Sequence, residues 1–448
     1  MRNVSITQLD FFDYTPNSNI GDLSRLLYCI EQIPFQSLID EMNYVRGNGR
    51  NDYPNEVMFR TLIAQFLFQR LEVSAMRREL SGNPTLRDLI GINDKRSLSL
   101  GKKSCVPSDD VFSNFITNLT HHYKCLLGIF IDLRKTVFKL IPTYGYELAG
   151  DGKYLDSYAP NQHSEGAKPG HRGEHDATYS KKERYTTNAR GDTVKKAETH
   201  YGFRKHTLVD ASTELPVASV VLPANEDEKK AMTNFVLPSV PSWLWKRAEY
   251  VSFDRGYDSS GFISTLRSYS VKPIIDKRIL SEKNKLRPYP GAKNVYYSET
   301  ADVFYYDESL EDEIDHTTEL SKRYVRMKYL GYDRTKGKKS ADGSSLGVLK
   351  YRYQDYTVYI DISYEPRFFT EVARDSKKFA RLYNHRTSVE RYHGRMDVCF
   401  GFETHTIRGL EKMRIYTLMG DIIMLAMALA HHKRGETNYA SIFDFDPI

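Results

Sequence analysis

Three short segments, far apart in the chain, each carry an acidic residue at the edge of a predicted strand or helix. Asp151 lies between two glycines at the end of a β-rich run, Asp254 follows the apolar segment Tyr250 to Phe253, and Glu390 lies in a helical segment. A group of carboxylates can hold two divalent metal ions, which stabilise both the attacking and the leaving oxygen of a phosphodiester. These acids therefore predict a metal-dependent site for chemistry on phosphodiesters.

Glu390 is preceded by Tyr383 and Arg386 at helical spacing, positions i, i+3 and i+7. On one continuous helix this spacing puts the phenol, the guanidinium and the carboxylate on a single stripe. The acid would then bind a metal ion while the other two side chains contact phosphates on either side of it. An exposed helix with an ordinary Arg to Glu ion pair explains the same spacing, so both interpretations stay open.

Asp151 and Asp254 are each followed closely by glycine, and for a single Asp-Gly pair a turn is the simpler explanation. Two such acids at the ends of predicted neighbouring strands, with Glu390 downstream, favour a site. Like charges about 4 Å apart repel by about 1 to 4 kcal/mol, so the cluster is expected to be poorly ordered without its cation. Three nearby acids are weaker candidates, because their neighbours indicate turns or caps: Asp156, Asp210 and Asp258.

A competing metal motif occurs between the first two acids. His171-Arg172-Gly173-Glu174-His175 matches the H-x-x-E-H pattern of certain zinc peptidases, which requires both histidines on one face of a helix. Pro169-Gly170 just before the motif and Gly173 inside it oppose helix formation. The segment is better interpreted as a mobile charged loop near DNA.

The region from Tyr53 to Leu140 shows helical periodicity. Pro54 begins one helical pattern, which Gly82-Asn83-Pro84 ends, and Ser108 is a credible N-cap for a second one. These patterns predict a compact helical domain. Short helices around Arg77-Arg78 suit a recognition helix, and a purely structural bundle fits the pattern equally well.

The pattern changes to strands after Pro142. A three-strand meander and then an alternation of helix and strand are predicted, and this is the order of an RNase H-like core. The predicted strands are Tyr146 to Tyr154, Tyr201 to Asp210, Leu215 to Leu222, Tyr250 to Phe253 and Val271 to Ile275, and the predicted helices are Asn225 to Val236 and Ser259 to Tyr269.

Residues 277–369 interrupt this core with tyrosine-rich strand patterns, which predict a β-rich insertion. Two of its tyrosines, Tyr351 and Tyr353, could stack on an unpaired base, although cross-strand packing explains most of the others. Helix is expected to return near Phe369, to continue past Glu390, to break between Gly394 and Gly401, and to resume from Arg408 to His432.

The composition narrows the class of protein only moderately. The chain has 448 residues, with 64 Lys and Arg against 58 Asp and Glu, a net charge of +6 that suits a nucleic-acid partner without requiring one. Clustered cations such as Arg77-Arg78 and Lys336 to Lys339 are more informative, since they bind phosphates by releasing counterions. The four cysteines include no Cys-x-x-Cys pair, which argues against a disulfide framework and a cysteine zinc site. We expect a cytoplasmic, nucleoid-associated protein without a membrane segment.

Four segments resemble a known family in their order along the chain. They are Gly150-Asp151-Gly152, Tyr201-Gly202-Phe203-Arg204 leading to Pro223-Ala224-Asn225, Phe253-Asp254-Arg255-Gly256-Tyr257, and Arg386-Thr387-Ser388-Val389-Glu390-Arg391. Together they resemble the DDE transposases of bacterial insertion sequences, in the group with the Y-x2-R-x3-E signature. The resemblance extends from Tyr53-Pro54 and Leu80 to Ile90 to the segment Ile407 to Leu410, so it covers nearly the whole chain.

The resemblance implies that Asp151, Asp254 and Glu390 are catalytic and hold two Mg²⁺ ions, for which Mn²⁺ could substitute. Water and then a DNA 3′-hydroxyl would attack phosphodiesters in line. The residues expected to contact DNA are Tyr383, Arg386, Arg391, Arg395, Arg255, Arg77 and Arg78.

The chain departs from the family signature Y-x2-R-x3-E-x6-K at its last position. Asp397 stands where the signature has lysine, so an expected phosphate contact is missing or reversed in sign. Arg391 or Arg395 could supply that contact, although an unbroken helix would turn Arg395 to the opposite face.

We therefore expect an α/β protein with an RNase H-like catalytic core and a β-rich insertion, preceded by an all-α N-terminal domain. The expected divisions are 1–140 for a helical DNA-end-binding domain, 141–276 and 370–433 for the core, 277–369 for the insertion and 434–448 for a tail. The expected function is a transposase that binds terminal inverted repeats and cleaves and transfers DNA strands as a DNA-bridging homodimer. A catalytically inactive, DNA-binding descendant and a stand-alone nuclease are the alternatives.

Overall fold

The computed structural model is a mixed α/β fold that describes most of the chain. The described residues are 23–48, 51–92, 105–159, 173–187, 193–278, 285–315, 319–337, 346–374 and 376–442. The helices are α1 (Leu23–Gln32), α2 (Gln36–Arg46), α3 (Asn55–Leu67), α4 (Val73–Gly82), α5 (Pro84–Ile90), α6 (Asp109–His121), α7 (Tyr123–Leu140), α8 (Glu228–Ala231), α9 (Leu237–Ser239), α10 (Ser242–Trp245), α11 (Ser260–Ser268), α12 (Lys377–Asn384), α13 (Thr387–Phe400) and α14 (Leu410–Lys433). A π-helical turn, Met232–Val236, joins α8 to α9.

The strands form one central sheet and several smaller ones. In chain order they are β1 (Glu147–Asp156), β2 (Thr178–Thr187), β3 (Thr193–Asp210), β4 (Pro216–Pro223), β5 (Tyr250–Phe253), β6 (Lys272–Ile275), β7 (Arg287–Pro288), β8 (Val295–Tyr297), β9 (Val303–Tyr306), β10 (Ile314–Asp315), β11 (Leu320–Ser321), β12 (Tyr324–Arg326), β13 (Lys328–Asp333), β14 (Val348–Tyr353) and β15 (Tyr356–Asp361).

The central sheet has the strand order β2-β3-β1-β5-β6, and β4 also pairs with β3. The pairs of β3 with β1, β2 and β4 are antiparallel, whereas β1 with β5 and β5 with β6 are parallel. The predicted meander and the two strands after it are confirmed. The hairpin of β2 with the first half of β3 was not predicted, because its Lys-rich and Thr-rich sequence has no apolar alternation.

The N-terminal helices pack directly on the C-terminal ones. α3 begins just after Pro54 and α6 just after Ser108, as predicted, while α1 and α2 were not predicted. The ring of Phe66 on α3 lies 5.4 Å from that of Phe400 and 5.9 Å from that of Tyr416. Helices α1 to α7, the central sheet and α14 therefore share one hydrophobic core.

Helix α14 runs through that core. In the described part of the chain, this helix of 24 residues is long and apolar enough to cross a membrane. However, 94% of its most apolar 18-residue segment is buried inside the protein. Burial against α1, α7 and β4 accounts for its composition, as expected for the core helix of a globular fold.

The region from β7 to β15 has a hydrophobic core of its own. β7, β8, β9 and β12 form one sheet, and β13, β14 and β15 form another. Tyr351 is buried in this second core, and the ring of Tyr353 stacks on that of Tyr305 at 5.2 Å. Both contacts favour the packing interpretation of these tyrosines over base stacking.

The helix break near Glu390 lies elsewhere than the sequence predicts. α12 ends at Asn384 and α13 begins at Thr387, whereas Gly394 lies inside α13 and Gly401 ends it. The N–H groups of His385 and Arg386 donate to carbonyls only three residues back, which tightens the chain into a turn. The predicted break between Gly394 and Gly401 is confirmed at Gly401, where α13 ends before α14 begins at Leu410. It is wrong at Gly394, because one exposed glycine costs a helix only about 1 kcal/mol.

Candidate active site

The parallel pairing of β1 with β5 brings the first two predicted acids together. Ala149 on β1 is in register with Ser252 on β5. Asp151 inside β1 and Asp254 directly after the end of β5 are each two residues further along, so they occupy corresponding positions. Because β1 and β5 run in the same direction, both acids lie at the same edge of the pair. The expectation that these acids are neighbours is confirmed. The expectation that Asp151 ends its strand is wrong, because β1 continues to Asp156 through its pairing with β3.

Backbone N–H groups fix the orientation of both carboxylates. Gly152 N–H donates to Asp151 Oδ1 at 2.8 Å, and Gly256 N–H donates to Asp254 Oδ1 at 2.8 Å. Gly256 belongs to a 3₁₀ turn, Arg255–Tyr257, that begins directly after Asp254. A short turn therefore holds Asp254 while the strand itself holds Asp151.

Electrostatics make Asp151 the unusual carboxyl of the pair. Burial raises the pKa of Asp151 to about 6, and the negative charge of Asp254 raises it as well, against the opposing effects of Gly152 N–H, Arg204 and Lys182. A buried carboxylate beside a second one is costly to ionise unless a cation neutralises both. This pair therefore has the electrostatic character of a cation site.

The glycines on either side of Asp151 are required by close packing. A Cβ atom at position 150 would lie 2.7 Å from Cζ of Phe253, a ring that is fully buried. A Cβ atom at position 152 would lie 2.7 Å from Nε of Arg204. The Gly150-Asp151-Gly152 sequence thus lets β1 approach its neighbours while it presents one acid.

Gly150→Ala is expected to lower the free energy of unfolding by about 1 to 3 kcal/mol, because the buried Phe253 ring cannot move away. Gly394→Ala is the matched control, since a Cβ atom there would meet nothing within 4 Å. In a helix that change should be neutral or stabilising by up to about 1 kcal/mol. Urea denaturation measures both, and equal effects would contradict this packing account.

Glu390 lies in the first turn of α13 and is half exposed, with 51% of its side chain accessible. Its carboxylate forms an ion pair with Arg386, the residue just before the helix. Burial is the largest influence on the pKa of Arg386 and lowers it. The hydrogen bond to Glu390 and the charges of Glu390, Tyr383 and Asp151 together outweigh burial, so the pKa is raised. Arg386 therefore lies within electrostatic reach of both acids.

Tyr383 reaches the same place from a different helix. The interpretation of Tyr383, Arg386 and Glu390 as one helical stripe is wrong, because the turn between α12 and α13 separates them. The Arg386 guanidinium nevertheless lies 5.7 Å from the centre of the Tyr383 ring. Burial raises the pKa of Tyr383, and Asp254 is among the charges that influence it. The turn therefore still brings Tyr383 close to Arg386 and its partner Glu390, although the three residues do not share one helix.

The third acid is near the other two without joining them. Within the residues that the structure describes, no group of three or more His, Cys, Asp or Glu side chains is close enough to hold a metal ion. Asp151 and Asp254 are neighbours, whereas the Glu390 carboxylate forms an ion pair with Arg386. Carboxylate oxygens are the ligands that hard divalent cations prefer, so this donor set fits such an ion. The assignment of all three acids as ligands stays a prediction.

Comparison with known proteins identifies the family. A family profile described as "Transposase DDE domain" matches residues 169–427, more than half of the chain. The chain belongs to the DDE transposase family. The match includes Asp254 and Glu390, and Asp151 precedes it. DDE transposases generally use divalent metal ions.

Two further comparisons add little. A cryo-EM structure of the piggyBac transposase synaptic complex with hairpin DNA matches with a TM-score of 0.35 and 12% sequence identity, over 98% of this chain and 82% of that chain. A likeness at this level supports no statement about this transposase. Among curated proteins no match is found.

The arginines predicted to contact DNA are engaged with acids of the transposase itself. Arg255 donates from Nε to Asp276 at 2.6 Å. Arg391 and Arg395, one turn apart on α13, both form ion pairs with Glu214 in the turn between β3 and β4. These pairs hold α13 against the sheet, and their role in DNA binding stays a prediction.

Arg77 and Arg78 lie on α4, far along the chain from the acids. Arg77 pairs with Asp109 at 2.8 Å, and Arg78 is 3.5 Å from the Ser74 hydroxyl. Arg78 also lines a cleft of about 690 Å³ between α4 and the segment that follows α13. The assignment of these two arginines to DNA binding is likewise untested.

The zinc-peptidase interpretation gains no support. His171 and Arg172 lie outside the described residues, and residues 173–177 are neither helix nor strand. Glu174 instead accepts a hydrogen bond from Gly409 N–H at 2.7 Å. Its carboxylate therefore joins this segment to the start of α14.

Two ion pairs near the site were missed by sequence reasoning. Lys153 pairs with Asp397, and Lys205 pairs with Asp421 at 2.9 Å. The sequence contained one indication of the first pair. Lys153 follows Asp151 by two residues and Asp397 follows Glu390 by seven, so each member lies on the same face of its element as a predicted acid. The second pair spans 216 residues and had no local signal.

Proposed function

We propose that this transposase binds the terminal inverted repeats of an insertion sequence and catalyses metal-dependent cleavage and transfer of DNA strands. Asp151, Asp254 and Glu390 would hold two Mg²⁺ ions, with Mn²⁺ as a substitute. The observation that carries the proposal is the placement of Asp151 beside Asp254 on parallel strands, with α13 and its Glu390 packed on β1. Family membership supports the same assignment.

The proposed catalytic core is of the RNase H type, divided as 141–276 and 370–433 around an insertion at 277–369. In its support, β4, β3, β1, β5 and β6 follow one another across the sheet, with antiparallel pairing first and parallel pairing last. The separate hydrophobic core of the insertion supports that division too. We assign residues 1–140 to DNA-end binding and 434–448 to a tail.

When bound, the metal ions would supply positive charge to the attacking and leaving oxygens of the phosphodiester. Asp151 and Asp254 would hold these ions, and the backbone N–H groups of Gly152 and Gly256 keep both carboxylates in place. Glu390 would be the third ligand when it is not paired with Arg386. The freed guanidinium can then donate two parallel hydrogen bonds to a phosphate.

DNA would approach this edge of the sheet over Arg255, Tyr383 and Arg386. The proposed assembly is a homodimer that bridges two transposon ends in the nucleoid. The inactive, DNA-binding descendant remains the alternative. Asp397, which departs from the family signature, favours this alternative, but its ion pair with Lys153 gives the residue a different explanation.

The proposal is tested with a labelled duplex that carries the element's own terminal repeats. Cleavage that leaves 3′-hydroxyl ends at the repeat boundary is expected with Mg²⁺ and not with EDTA. Cleavage of unrelated duplexes at the same rate would favour a stand-alone nuclease. Binding without cleavage under any divalent ion would favour the inactive descendant.

Glu214→Gln is expected to strengthen DNA binding severalfold at low salt. The change removes the charge that neutralises Arg391 and Arg395, so the plot of log affinity against log salt should steepen by about 1. Glu313→Gln, which removes the acid partner of Lys322 in the insertion, is the control for net charge. Equal responses of both variants would show that Arg391 and Arg395 do not face DNA.

A further inference from the structure

An ion pair joins the two elements that carry the proposed catalytic acids. Lys153 on β1 contacts Asp397 on α13. Residues two apart on a strand share a face, so Lys153 lies on the same side of β1 as Asp151, about 7 Å further along. Residues seven apart on a helix also nearly share a face, so Asp397 lies on the Glu390 side of α13, about 10 Å further along.

The pair is too buried to be an ordinary surface ion pair. The accessible fractions of the side chains are 28% for Lys153 and 17% for Asp397. Asp397 Oδ1 is buried and has no hydrogen-bond partner among the described residues, so Lys153 is the contact that the structure gives this carboxylate. Removing one member would leave a partly buried charge without its counter-ion, which is costly.

We propose that Lys153 and Asp397 form a brace that sets the separation between Asp151 and Glu390. The inference rests on the proposed function, since it concerns the geometry of the proposed metal site. Both are positioning residues, because they act through the strand and the helix rather than on the reacting atoms. Arg391 and Arg395 bind Glu214, Tyr392 binds Lys205 on β3, and His385 just before α13 contacts Glu147 at the start of β1. The brace ties α13 itself to β1 on the far side of Asp151.

The brace reverses the expected effect of restoring the signature lysine. Lysine at position 397 would face Lys153, and two partly buried cations would repel and push α13 away from β1. Asp397→Lys should therefore impair the site, whereas exchanging the two charges should repair it.

The test compares the unaltered protein with Lys153→Glu, Asp397→Lys and the double exchange of both. Mn²⁺ affinity, measured by electron paramagnetic resonance without DNA, is the readout that does not depend on activity. Both single variants should bind Mn²⁺ about 10- to 100-fold more weakly, as for the loss of groups that orient metal ligands. They should cleave about a hundredfold more slowly, since a displacement of about 1 Å has an effect of this size on rate. The double exchange should recover most of both losses.

The direction in which Lys153→Glu changes Mn²⁺ affinity distinguishes a positioning role from a purely electrostatic one. Lys153→Glu adds negative charge beside the site, so a purely electrostatic effect would tighten Mn²⁺ binding, whereas loss of the brace weakens it. Lys322→Met removes a cation of a distant exposed pair and should change neither readout.

Tighter Mn²⁺ binding by Lys153→Glu, or no recovery in the double exchange, would overturn the brace while leaving the proposed function intact. If both single variants only melt earlier and their folded fraction binds Mn²⁺ normally, the pair is merely structural and the inference fails. An unaltered protein that binds no Mn²⁺ would overturn the proposed function, and the brace with it.

Discussion

Asp254→Asn and Glu390→Gln are each expected to slow DNA strand cleavage by about a thousandfold, because each removes a ligand charge worth several kcal/mol in the transition state. Affinity for the terminal repeats should stay within about twofold, since neither change removes a phosphate contact. The measurements are single-turnover cleavage of a labelled repeat duplex and a binding titration in Ca²⁺.

The geometry explains why these two variants should behave alike although their surroundings differ. Asp254 is held by a turn N–H beside the partly buried Asp151, whereas Glu390 is half exposed and paired with Arg386. Glutamine at position 390 keeps the shape of the side chain and can still accept a hydrogen bond from Arg386. Its loss of charge is therefore the main change.

The same geometry provides a control variant for these two changes and the outcomes that would contradict the role of Glu390. Asp355→Asn alters a fully exposed acid in the insertion and should leave cleavage unchanged. If Glu390→Gln lost DNA binding together with cleavage, the Arg386 to Glu390 pair would be structural and Glu390 would not be a metal ligand. If Glu390→Gln cleaved normally, only the Asp151 and Asp254 pair would remain as a candidate site.

Lys205→Met is expected to lower the free energy of unfolding by about 3 to 5 kcal/mol, because it leaves Asp421 as an uncompensated charge in the core. The Lys205 ammonium lies 2.9 and 3.0 Å from the two Asp421 oxygens and 2.6 Å from the Tyr392 hydroxyl. The accessible fractions of these side chains are 2% for Lys205 and 0% for Asp421. Urea denaturation measures the loss.

Two further variants separate the charge from the packing. Ser219→Ala removes one hydrogen bond to Asp421, of 2.7 Å, and should cost about 1 kcal/mol. The double variant Lys205→Met with Asp421→Leu removes both charges and should regain much of the stability lost by Lys205→Met alone. A Lys205→Met variant no less stable than Ser219→Ala would show that the pair is not ionised in the folded state.

This buried network matters for the site because it holds the helix that carries Glu390. Tyr392 on α13 also donates to Asp421 on α14, and Lys205 on β3 binds both residues. The cluster therefore ties α13 and α14 to the same strand that pairs with β1. Its loss should disorder α13 first, which hydrogen exchange of residues 387–400 would detect.

The sequence predicted those features that depend on local pattern. Strand β5 appears at its predicted bounds, because a short apolar run between turns leaves few alternatives. The neighbouring positions of Asp151 and Asp254 followed from the expectation that their two strands are neighbours, and the parallel pairing of β1 with β5 provides this. The periodicity of apolar residues and the order of the predicted strands were therefore sufficient to find this acid pair.

The remaining features depend on contacts that no local pattern encodes. The turn between α12 and α13 contains neither glycine nor proline, and His385 within it contacts Glu147 at the start of β1. The Lys153 to Asp397 and Lys205 to Asp421 pairs join residues more than 200 positions apart, so only the folded chain reveals them. The ion pair that Glu390 makes with Arg386 was one of two interpretations that spacing alone left open.

The central claim is that Asp151, Asp254 and Glu390 hold the same metal centre. Iron-mediated cleavage of the polypeptide tests it most directly, because Fe²⁺ in a divalent-cation site generates radicals that cut the nearest peptide bonds. With ascorbate and peroxide, the terminal-repeat complex should be cut next to all three acids, and Asp254→Asn or excess Mg²⁺ should suppress all three cuts together. Cuts at other positions, or cuts near Asp151 and Asp254 that never include Glu390, would contradict the assignment.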